Sequence, residues 1–304
     1  MPQKKIIFRD GARKTNFLLR TGPTHLSVEQ YKVILTATLK AFSELCDREG
    51  LRWFIAFGSA IGAVRHGGII PWDDDIDVYM PREDFQRLLA LEDPDGYEIL
   101  HLTRSSQPLP YTYAKFCDAS STIWEQRKYP CLIGVFIDIF PLDQVPAGEA
   151  TPIRGHYTKL LVAYKRGIRR TSFGRWWRSS LHDKLASVQD LLYYRPMHRC
   201  SLRRLMEIDE DVAAIKGDKY ILYDNIYGDA KVVYDKSLFE GEPVMADFEG
   251  MKVPLPSGND ALLTQIYGDY MTPPPEDKRI SGHHQYFIDT TRRLTMAEVK
   301  KLLK

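Results

Sequence analysis

The sequence predicts an α+β protein in which helices cover a mixed β-sheet core. The chain has 304 residues and 44% of them are hydrophobic, so it can bury a sizeable core. Short apolar segments alternate with segments of helical periodicity, which is typical of a mixed sheet with helical cover. We expect four parts: an N-terminal arm and packing helix (1–50), the main core (51–150), a basic aromatic-rich helical insert (151–204) and a C-terminal part that completes the core (205–304).

The first core element is a helix that begins after the cap residue Ser27. Ser27-Val28-Glu29-Gln30 is a capping box, and apolar residues then recur on one helical face until Gly50. The apolar residues 51–57 predict a buried strand. We therefore expect the helix to pack behind this strand.

A turn from strand to helix is expected at Gly58-Ser59. Residues 60–64 can form a short helix, which Gly67-Gly68 would close. At such a turn the backbone N–H groups, the Ser hydroxyl and the helix dipole can meet an anion. The pattern predicts that Gly58 and Ser59 cradle a phosphate group.

The most informative feature is the acidic run Pro71-Trp72-Asp73-Asp74-Asp75-Ile76-Asp77-Val78. Carboxylates this close repel one another, so a fold keeps them together only with a compensating cation. Because the pattern alternates from Asp75, Asp75 and Asp77 would lie on one face of a half-buried strand and could share a divalent ion. A solvated acidic turn is the alternative, but the apolar flanks on both sides of the run belong in a core.

A helix and two strands are expected next. Pro81-Arg82-Glu83-Asp84 has the composition of a helix start. Residues 97–102 and 111–116 predict strands. Lys115 lies in the second of them, where an inward-pointing Lys needs an anionic partner.

Residues 134–142 predict a further strand that carries Asp138. A carboxylate between two Phe residues is costly to bury unless a positive group meets it. Asp138 could complete the acidic cluster of Asp75 and Asp77, or it could form a structural salt bridge with Lys115 or an Arg. Asp143 lies nearer the expected loop, where capping or loop bonding would be its role.

These segments resemble the signature of LicD-family phosphotransferases, which are similar to fukutin and fukutin-related proteins. The resemblance runs from Phe57 to Val78 and continues in Gly134-Val135-Phe136-Ile137-Asp138-Ile139-Phe140-Pro141-Leu142-Asp143. It returns in Tyr267-Gly268-Asp269-Tyr270-Met271 and Pro273-Pro274-Pro275, ahead of Arg279 and His283-His284. It implies a nucleotidyltransferase-like core at 51–150.

The resemblance also implies an activity: metal-dependent transfer of a phospho-alcohol group, with phosphocholine from CDP-choline expected, onto a hydroxyl of a cell-surface glycan or its lipid-linked precursor. CMP would be released, and Mg2+ or Mn2+ would be the cofactor. Asp75, Asp77 and Asp138 would be catalytic and would bind the metal. Substrate contacts would come from Gly58, Ser59, Arg65, His66, Asp73, Lys115, Arg279 and His283.

Alternatives remain for some of these residues and for the activity. Arg65 and His66 could be a surface pair, and Arg279 and His283 could belong to a solvated tail. An ordinary nucleotidyltransferase would use the same carboxylates to move a nucleoside monophosphate from an NTP. The chain could also be a catalytically silent scaffold that binds glycan or membrane and keeps the fold without the activity.

Residues 154–204 form a second strong signal of composition. They hold thirteen Lys and Arg residues against Asp183 and Asp190, a net charge of +11 in a chain of +2. Aromatic residues are interleaved, including the tandem Trp176-Trp177, which suits a headgroup interface. No nucleic-acid motif is present, so we expect contact with an anionic membrane or an acidic acceptor. A helical insert with a solvated basic face, broken near Gly174 and Pro196, is the alternative.

The last part of the chain predicts a hairpin and a helix. Residues 244–248 and 251–255 would be the two strands, with Glu249-Gly250 as the turn. Residues 260–267 would form a helix that Gly268 ends. The three prolines at 273–275 then require an extended path, which could follow the rim of the site.

Composition excludes several classes of protein. The longest apolar runs are far shorter than a membrane span, and the basic N-terminus has no apolar stretch behind it. The four Cys residues are far apart, which argues against a zinc ribbon and against a disulfide framework. We expect a cytoplasmic protein, with the basic insert on the inner face of the cell membrane.

Overall fold

The computed structural model describes residues 6–10, 13–17, 28–170, 176–177, 180–222, 232–279 and 285–303. The described strands are β1 Ile6–Asp10, β2 Arg13–Phe17, β3 Phe54–Ile55, β4 Asp77–Pro81, β5 Tyr97–Leu100, β6 Ala114–Asp118, β7 Thr122–Trp124, β8 Phe136–Val145, β9 Lys219–Ile221, β10 Val233–Asp235, β11 Val244–Phe248, β12 Met251–Leu255 and β13 Phe287–Asp289. The described α-helices are α1 Val28–Glu49, α2 Phe57–His66, α3 Arg82–Ala90, α4 Ala150–Ile168, α5 Leu181–Gln189, α6 Arg195–Ala214, α7 Asn259–Tyr267 and α8 Met296–Leu302.

A seven-stranded mixed sheet forms the centre of the molecule. Its main path is β10-β9-β8-β4-β3, and β6 joins it by pairing with both β5 and β8. The β4–β8 pair is parallel, whereas β3–β4, β6–β8 and β8–β9 are antiparallel. The predicted α+β class with a mixed sheet and helical cover is confirmed.

Helix α1 packs mainly against β6 and β8, and not mainly behind the strand expected at 51–57. Leu35, Leu39 and Phe42 on its apolar face are completely buried, and the Phe42 ring meets Trp53 edge-on at 5.5 Å between centroids. Gly50, with φ of +60°, ends the helix in the left-handed region that favours Gly. Ser27 lies outside the described residues.

The strand expected over 51–57 is much shorter than its apolar run. Only Phe54 and Ile55 pair in β3, because Phe57 has a φ of +47° and already starts α2. The short helix expected at 60–64 therefore extends from Phe57 to His66, and Gly67 caps it with φ of +66°. The C-terminal hairpin and α7 have the expected places, and Gly268 follows α7 with a positive φ.

Asp143 has a different role from the loop bonding that its position suggests. It lies in β8, is completely buried, and accepts two hydrogen bonds from the Arg82 guanidinium at 2.6 and 2.7 Å. The same guanidinium donates to Asp209 in α6 at 3.1 and 3.0 Å. Burial raises the pKa of the Asp143 carboxyl, and the charge of Arg82 opposes that shift. The cluster of Arg82, Asp143 and Asp209 thus joins the central sheet to the basic insert.

The basic insert is helical wherever the structure describes it. Helices α4 and α6 pack together, and a π-helical turn at Asp190–Tyr194 connects α5 to α6. Pro196 occupies the first turn of α6, where its missing N–H is tolerated, so the expected break is a change of helix type. Gly174 lies outside the described residues. No helix of the described chain is both long and apolar enough to cross a membrane.

We expect Arg82→Ala to destabilise the fold strongly, because it leaves the buried Asp143 carboxylate without its cation. Removing one partner of a buried ion pair costs about 3–5 kcal/mol. The matched control is Arg204→Ala on α6, which removes an exposed pair with Glu207 and should cost less than about 1 kcal/mol. Urea unfolding of the two variants measures both changes, and equal losses would contradict a structural role for the buried cluster.

Candidate active site

A cleft of about 1190 Å³ opens at the sheet edge where β4 and β8 begin. Because these strands are parallel, Asp77 lies directly opposite Asp138 in the register. Both residues line the cleft, together with Asp73 and Asp75. Ile76 and Val78 are completely buried, so the expected alternation of burial is observed. The strand itself begins only at Asp77, so Asp75 lies just before β4 and not on a strand face as expected. The sheet therefore brings the predicted acidic residues together.

The carboxylates are arranged so that a hard divalent cation would fit. Oxygen atoms of Asp73, Asp74 and Asp75 all lie within 4.8 Å of one another. Carboxylate oxygens are the ligands that Mg2+ and Mn2+ prefer. This donor set includes Asp75 of the expected metal ligands and adds Asp73 and Asp74. Asp77 and Asp138 face the same cleft from the neighbouring strands.

The N-terminus of α2 faces this acidic cluster. Gly58 lines the cleft, and a Cβ atom at Gly58 would lie 2.7 Å from Oδ2 of Asp73. Ala56 precedes the helix and has no side-chain cap to offer, so the first-turn N–H groups are suited to an anion. The strained φ of Phe57 lies at the same turn, as is common at functional sites. The expected phosphate cradle stays a prediction, and any such cradle would be built from these backbone N–H groups.

Ser59 has a structural contact where a substrate contact was expected. Its side chain is buried, and Oγ accepts a hydrogen bond from the backbone N–H of Asp77 at 3.0 Å. Ser59 thus fixes the start of β4 against α2 and does not line the cleft. Gly58 is the member of the Gly-Ser pair that lines the cleft.

Asp138 forms the salt bridge with Lys115 that was one of its two expected roles, and its place beside the acidic cluster leaves the other role as a prediction. It lines the cleft, and its Oδ1 accepts a hydrogen bond at 2.6 Å from Nζ of Lys115, which is completely buried. Nζ also lies 3.6 Å from Glu125, a cleft residue that the sequence did not single out. Burial disfavours the charged amine, but Asp138 and Glu125 outweigh it and raise the pKa of Lys115 above its ordinary value. Lys115 therefore remains cationic and balances two carboxylates from behind the cleft.

Helix α1 places a Tyr near the site, although its sequence predicts only packing. Burial raises the pKa of Tyr31 well above its ordinary value, and the charges of Asp74, Asp75, Glu125 and Asp138 add to the shift. Tyr31 thus lies near these carboxylates, although it does not line the cleft itself. The apolar periodicity of α1 hides this position, because a Tyr fits an apolar face as well as a Leu does.

The other expected substrate residues divide between the cleft and its rim. Arg65 lines the cleft, and its guanidinium donates to the carbonyl oxygen of Tyr270. The His66 ring lies edge-on to Trp72 at 6.0 Å, away from the lining. Arg279 lies over the face of Trp72 at 5.1 Å and donates to the Pro274 carbonyl. His283 lies outside the described residues.

Aromatic rings form one wall of the cleft, and the sequence did not single them out. Tyr111 and Tyr113 stack at 5.0 Å between centroids, Tyr113 meets Phe140 at 4.6 Å, and Phe140 meets Phe57 at 5.4 Å. All four rings line the cleft. Tyr113 and Phe140 are half-buried, so their rings are partly open to a ligand. We call this row of four rings the aromatic wall.

Comparison with known proteins gives one match to a family model and several similar chains. The family described as LicD/FKTN/FKRP, nucleotidyltransferase domain, matches residues 50–173. The chain is 30% identical over 268 residues to the lipopolysaccharide cholinephosphotransferase LicD of Haemophilus influenzae, which covers 86% of this chain and 97% of that protein. It is also 38% identical over 76 residues to an uncharacterized protein of Rickettsia typhi, which covers 24% of this chain and 25% of that one.

We expect Asp138→Asn to lower the free energy of unfolding, because it leaves the buried Lys115 ammonium with the more distant Glu125 alone. The cost should be about 3 kcal/mol or more. The double variant Asp138→Asn/Lys115→Met removes both charges and should recover much of that stability. Thermal and urea unfolding would check this. If the double variant is no more stable than Asp138→Asn, the ion pair does not account for the loss.

Proposed function

The chain belongs to the LicD family of phosphotransferases, and we propose that it moves phosphocholine from CDP-choline onto a hydroxyl of a cell-surface glycan or its lipid-linked precursor. The similar Haemophilus protein is named as a lipopolysaccharide cholinephosphotransferase. The observation that carries the proposal is a single cleft that joins an acidic cluster, an open helix N-terminus and an aromatic wall. These features match a diphosphate donor that carries a quaternary ammonium group.

Donor binding would use the acidic end of the cleft. A divalent cation held by Asp75 and Asp77, with Asp73 and Asp138 beside them, would neutralise the charge of the donor diphosphate. The N–H groups at the start of α2 would bind phosphate oxygens, because a helix N-terminus attracts an anion. Arg65 lines the same cleft and would add a further positive charge.

The acceptor hydroxyl would be prepared by Asp138. In the transfer, the acceptor oxygen forms a bond to the phosphorus that carries choline, and the bond from that phosphorus to the bridging oxygen of the diphosphate breaks. CMP leaves with the electron pair, and the hydroxyl proton passes to the Asp138 carboxylate. The hydrogen bond from Lys115 would hold the Asp138 carboxylate in place for this step.

The aromatic wall supports choline as the transferred alcohol. A quaternary ammonium has no N–H to donate, so a protein binds it through the negative faces of aromatic rings. The half-buried rings of Tyr113 and Phe140 lie 4.6 Å apart within the cleft that contains the carboxylates. Glu125, which lines the same cleft, would add a negative charge near the trimethylammonium group.

The proposed location of the protein is the cytoplasm, where it would contact the inner face of the cell membrane peripherally. A lipid-linked glycan presents its sugar at such a surface, and the basic insert carries a net charge of +11. Lys165 of α4 lines the cleft, so the insert reaches the site itself. An anionic acceptor would meet positive charge on its way to the carboxylates.

Asp75→Asn and Asp77→Asn should each reduce CMP release by about a hundredfold or more while the fold is kept, because each removes a carboxylate that offsets cation charge. The assay follows CMP from CDP-choline by phosphorus NMR in the presence of Mg2+ or Mn2+ and a candidate glycan. Calorimetric titration of either cation should show weaker binding to both variants. Pyrophosphate from an NTP as the product would instead identify a nucleotidyltransferase, and wild-type rates in the variants would rule out these residues as essential.

Tyr113→Leu should raise the KM for CDP-choline about five- to tenfold, because it removes one ring of the wall. CDP-glycerol has no cation to bind there, so its turnover should change little. The matched control Tyr113→Phe keeps the ring and removes only the hydroxyl. Equal losses for the two donors would show that Tyr113 supports the cleft without recognising choline.

A further inference from the structure

The basic insert carries a row of exposed apolar side chains. Leu181, Leu185 and Val188 follow one another at spacings of four and three residues, which places them on one face of α5. Leu192 follows four residues later in the π-helical turn. The Trp177 ring lies beside the same helix, 5.6 Å from Nζ of Lys184. We call Trp177 and these four aliphatic residues the insert ridge. Their exposed fractions range from 41% to 73%.

Helix α5 does not bury its apolar face against the part of the chain that the structure describes. No residue of this fully described helix, from Leu181 to Gln189, is buried. Apolar side chains of an ordinary surface helix turn toward the core, so an apolar face without cover usually marks a binding surface. Leu191, Tyr193 and Met197 are also exposed and widen the apolar area around the ridge.

Basic residues lie on the ridge helix and on α4 and α6, the helices that pack against the turn at Asp190–Tyr194. Nζ of Lys184 lies 5.8 and 5.6 Å from the rings of Trp176 and Trp177. Arg199 on α6 is exposed, and Arg170 is exposed at the end of α4. Arg166 and Arg169 differ from these, because both pair with the buried Asp190 and so hold the insert together.

The basic surface continues from the ridge to the active-site cleft. The Arg195 guanidinium at the start of α6 donates to the carbonyl oxygen of Arg169, and the N–H of Arg170 donates to that of Lys128. Lys128 and Lys165 both line the cleft. Arg169 and Lys165 contribute, after burial, to a lowered pKa of Lys128, which shows that these cations lie close together. An anionic surface that meets the ridge would therefore also meet the cleft mouth.

A second copy of this chain is a poor occupant of the ridge. Two copies joined at this face would bring two inserts together, each with a net charge of +11. Repulsion between like charges opposes such a contact. An anionic lipid surface has the complementary charge, and it also offers an apolar layer for Leu side chains and a headgroup layer for Trp.

We propose that the insert ridge and the surrounding basic residues dock this protein on an anionic phospholipid membrane. Trp177 and the Leu residues enter the headgroup and upper acyl region, while Lys184, Arg170 and Arg199 contact lipid phosphates. The cleft mouth, with Lys128 and Lys165, then faces the bilayer, where a lipid-linked acceptor is held. Only the placement of the acceptor rests on the proposed function, because docking on a membrane does not require the transfer reaction.

Flotation with phosphatidylcholine vesicles, with and without phosphatidylglycerol, tests the docking. Wild type should bind the anionic vesicles and bind less as salt rises. Leu181→Ser/Leu185→Ser/Leu192→Ser should lose binding by about tenfold or more at every salt concentration, because the lost contribution is apolar. Arg170→Glu/Arg199→Glu should lose a similar amount at low salt only, since each basic residue near an anionic surface contributes a factor of about five.

Matched controls separate the ridge from apolar or basic residues in general. Val33→Ser/Met245→Ser removes exposed apolar groups from α1 and β11, and Lys300→Glu/Lys301→Glu reverses exposed charges on α8. Neither control should change vesicle binding. The changed residues are exposed, and circular dichroism should show all variants folded.

Two results would overturn the inference. The first is wild-type binding no stronger to anionic than to neutral vesicles, or equal binding by wild type and the ridge variant. The second is a wild-type dimer in light scattering together with a monomeric ridge variant. That result would mean that a second copy of the chain covers the ridge. CMP release from CDP-choline with a soluble glycan is measured separately and should be unchanged in the ridge variant. If the ridge variant loses vesicle binding but keeps full CMP release, the result supports the docking and does not bear on the proposed function. If the wild type releases no CMP, the proposed function is contradicted and the docking is not.

Discussion

The parallel pairing of β4 and β8 is the constraint on which the rest of the structure depends. It sets Asp77 opposite Asp138 at one sheet edge and brings the acidic run of 73–75 beside them. Like charges gathered in this way repel, so the surrounding fold has to hold the strands together. A buried Lys115 supplies the balancing charge at this edge, and the Ser59 hydroxyl bonds the first N–H of β4.

The same two strands are tied at their other ends by a second buried ion cluster. Arg82 follows β4 directly, and its Nε and Nη2 donate hydrogen bonds to the two carboxylate oxygens of Asp143 in β8. Its remaining contacts go to Asp209 in α6, so the basic insert is attached to the strands that build the active site. Buried ion pairs give little net stability but specify one arrangement, and here they fix the register of the acidic residues. The same ion cluster thus holds both the strands of the active site and the helix α6 that extends from the insert.

The sequence predicts the local parts of this arrangement well and the long-range parts poorly. The alternation of Asp75, Ile76 and Asp77 follows from strand periodicity, and the C-terminal hairpin follows from its Glu249-Gly250 turn. Local patterns could not show that Arg82 reaches Asp143, because 61 residues separate them. The aromatic wall was missed for the same reason: its rings come from three separate segments, and each ring alone fits an ordinary core position.

The distribution of charge suits the two opposite kinds of ligand that we propose, an anionic surface and a cationic alcohol. The insert carries +11 whereas the remaining residues carry −9, so the two parts have opposite fields. The acidic cleft would repel a bare diphosphate and would admit one only when a cation and the α2 N-terminus offset the carboxylates. The aromatic wall would select a quaternary ammonium by its ring faces, and a nearby carboxylate would strengthen that binding without replacing it. Lys165 of the insert and Lys128 ahead of the insert both line the cleft, so they would attract an anionic acceptor toward a site whose own carboxylates repel it.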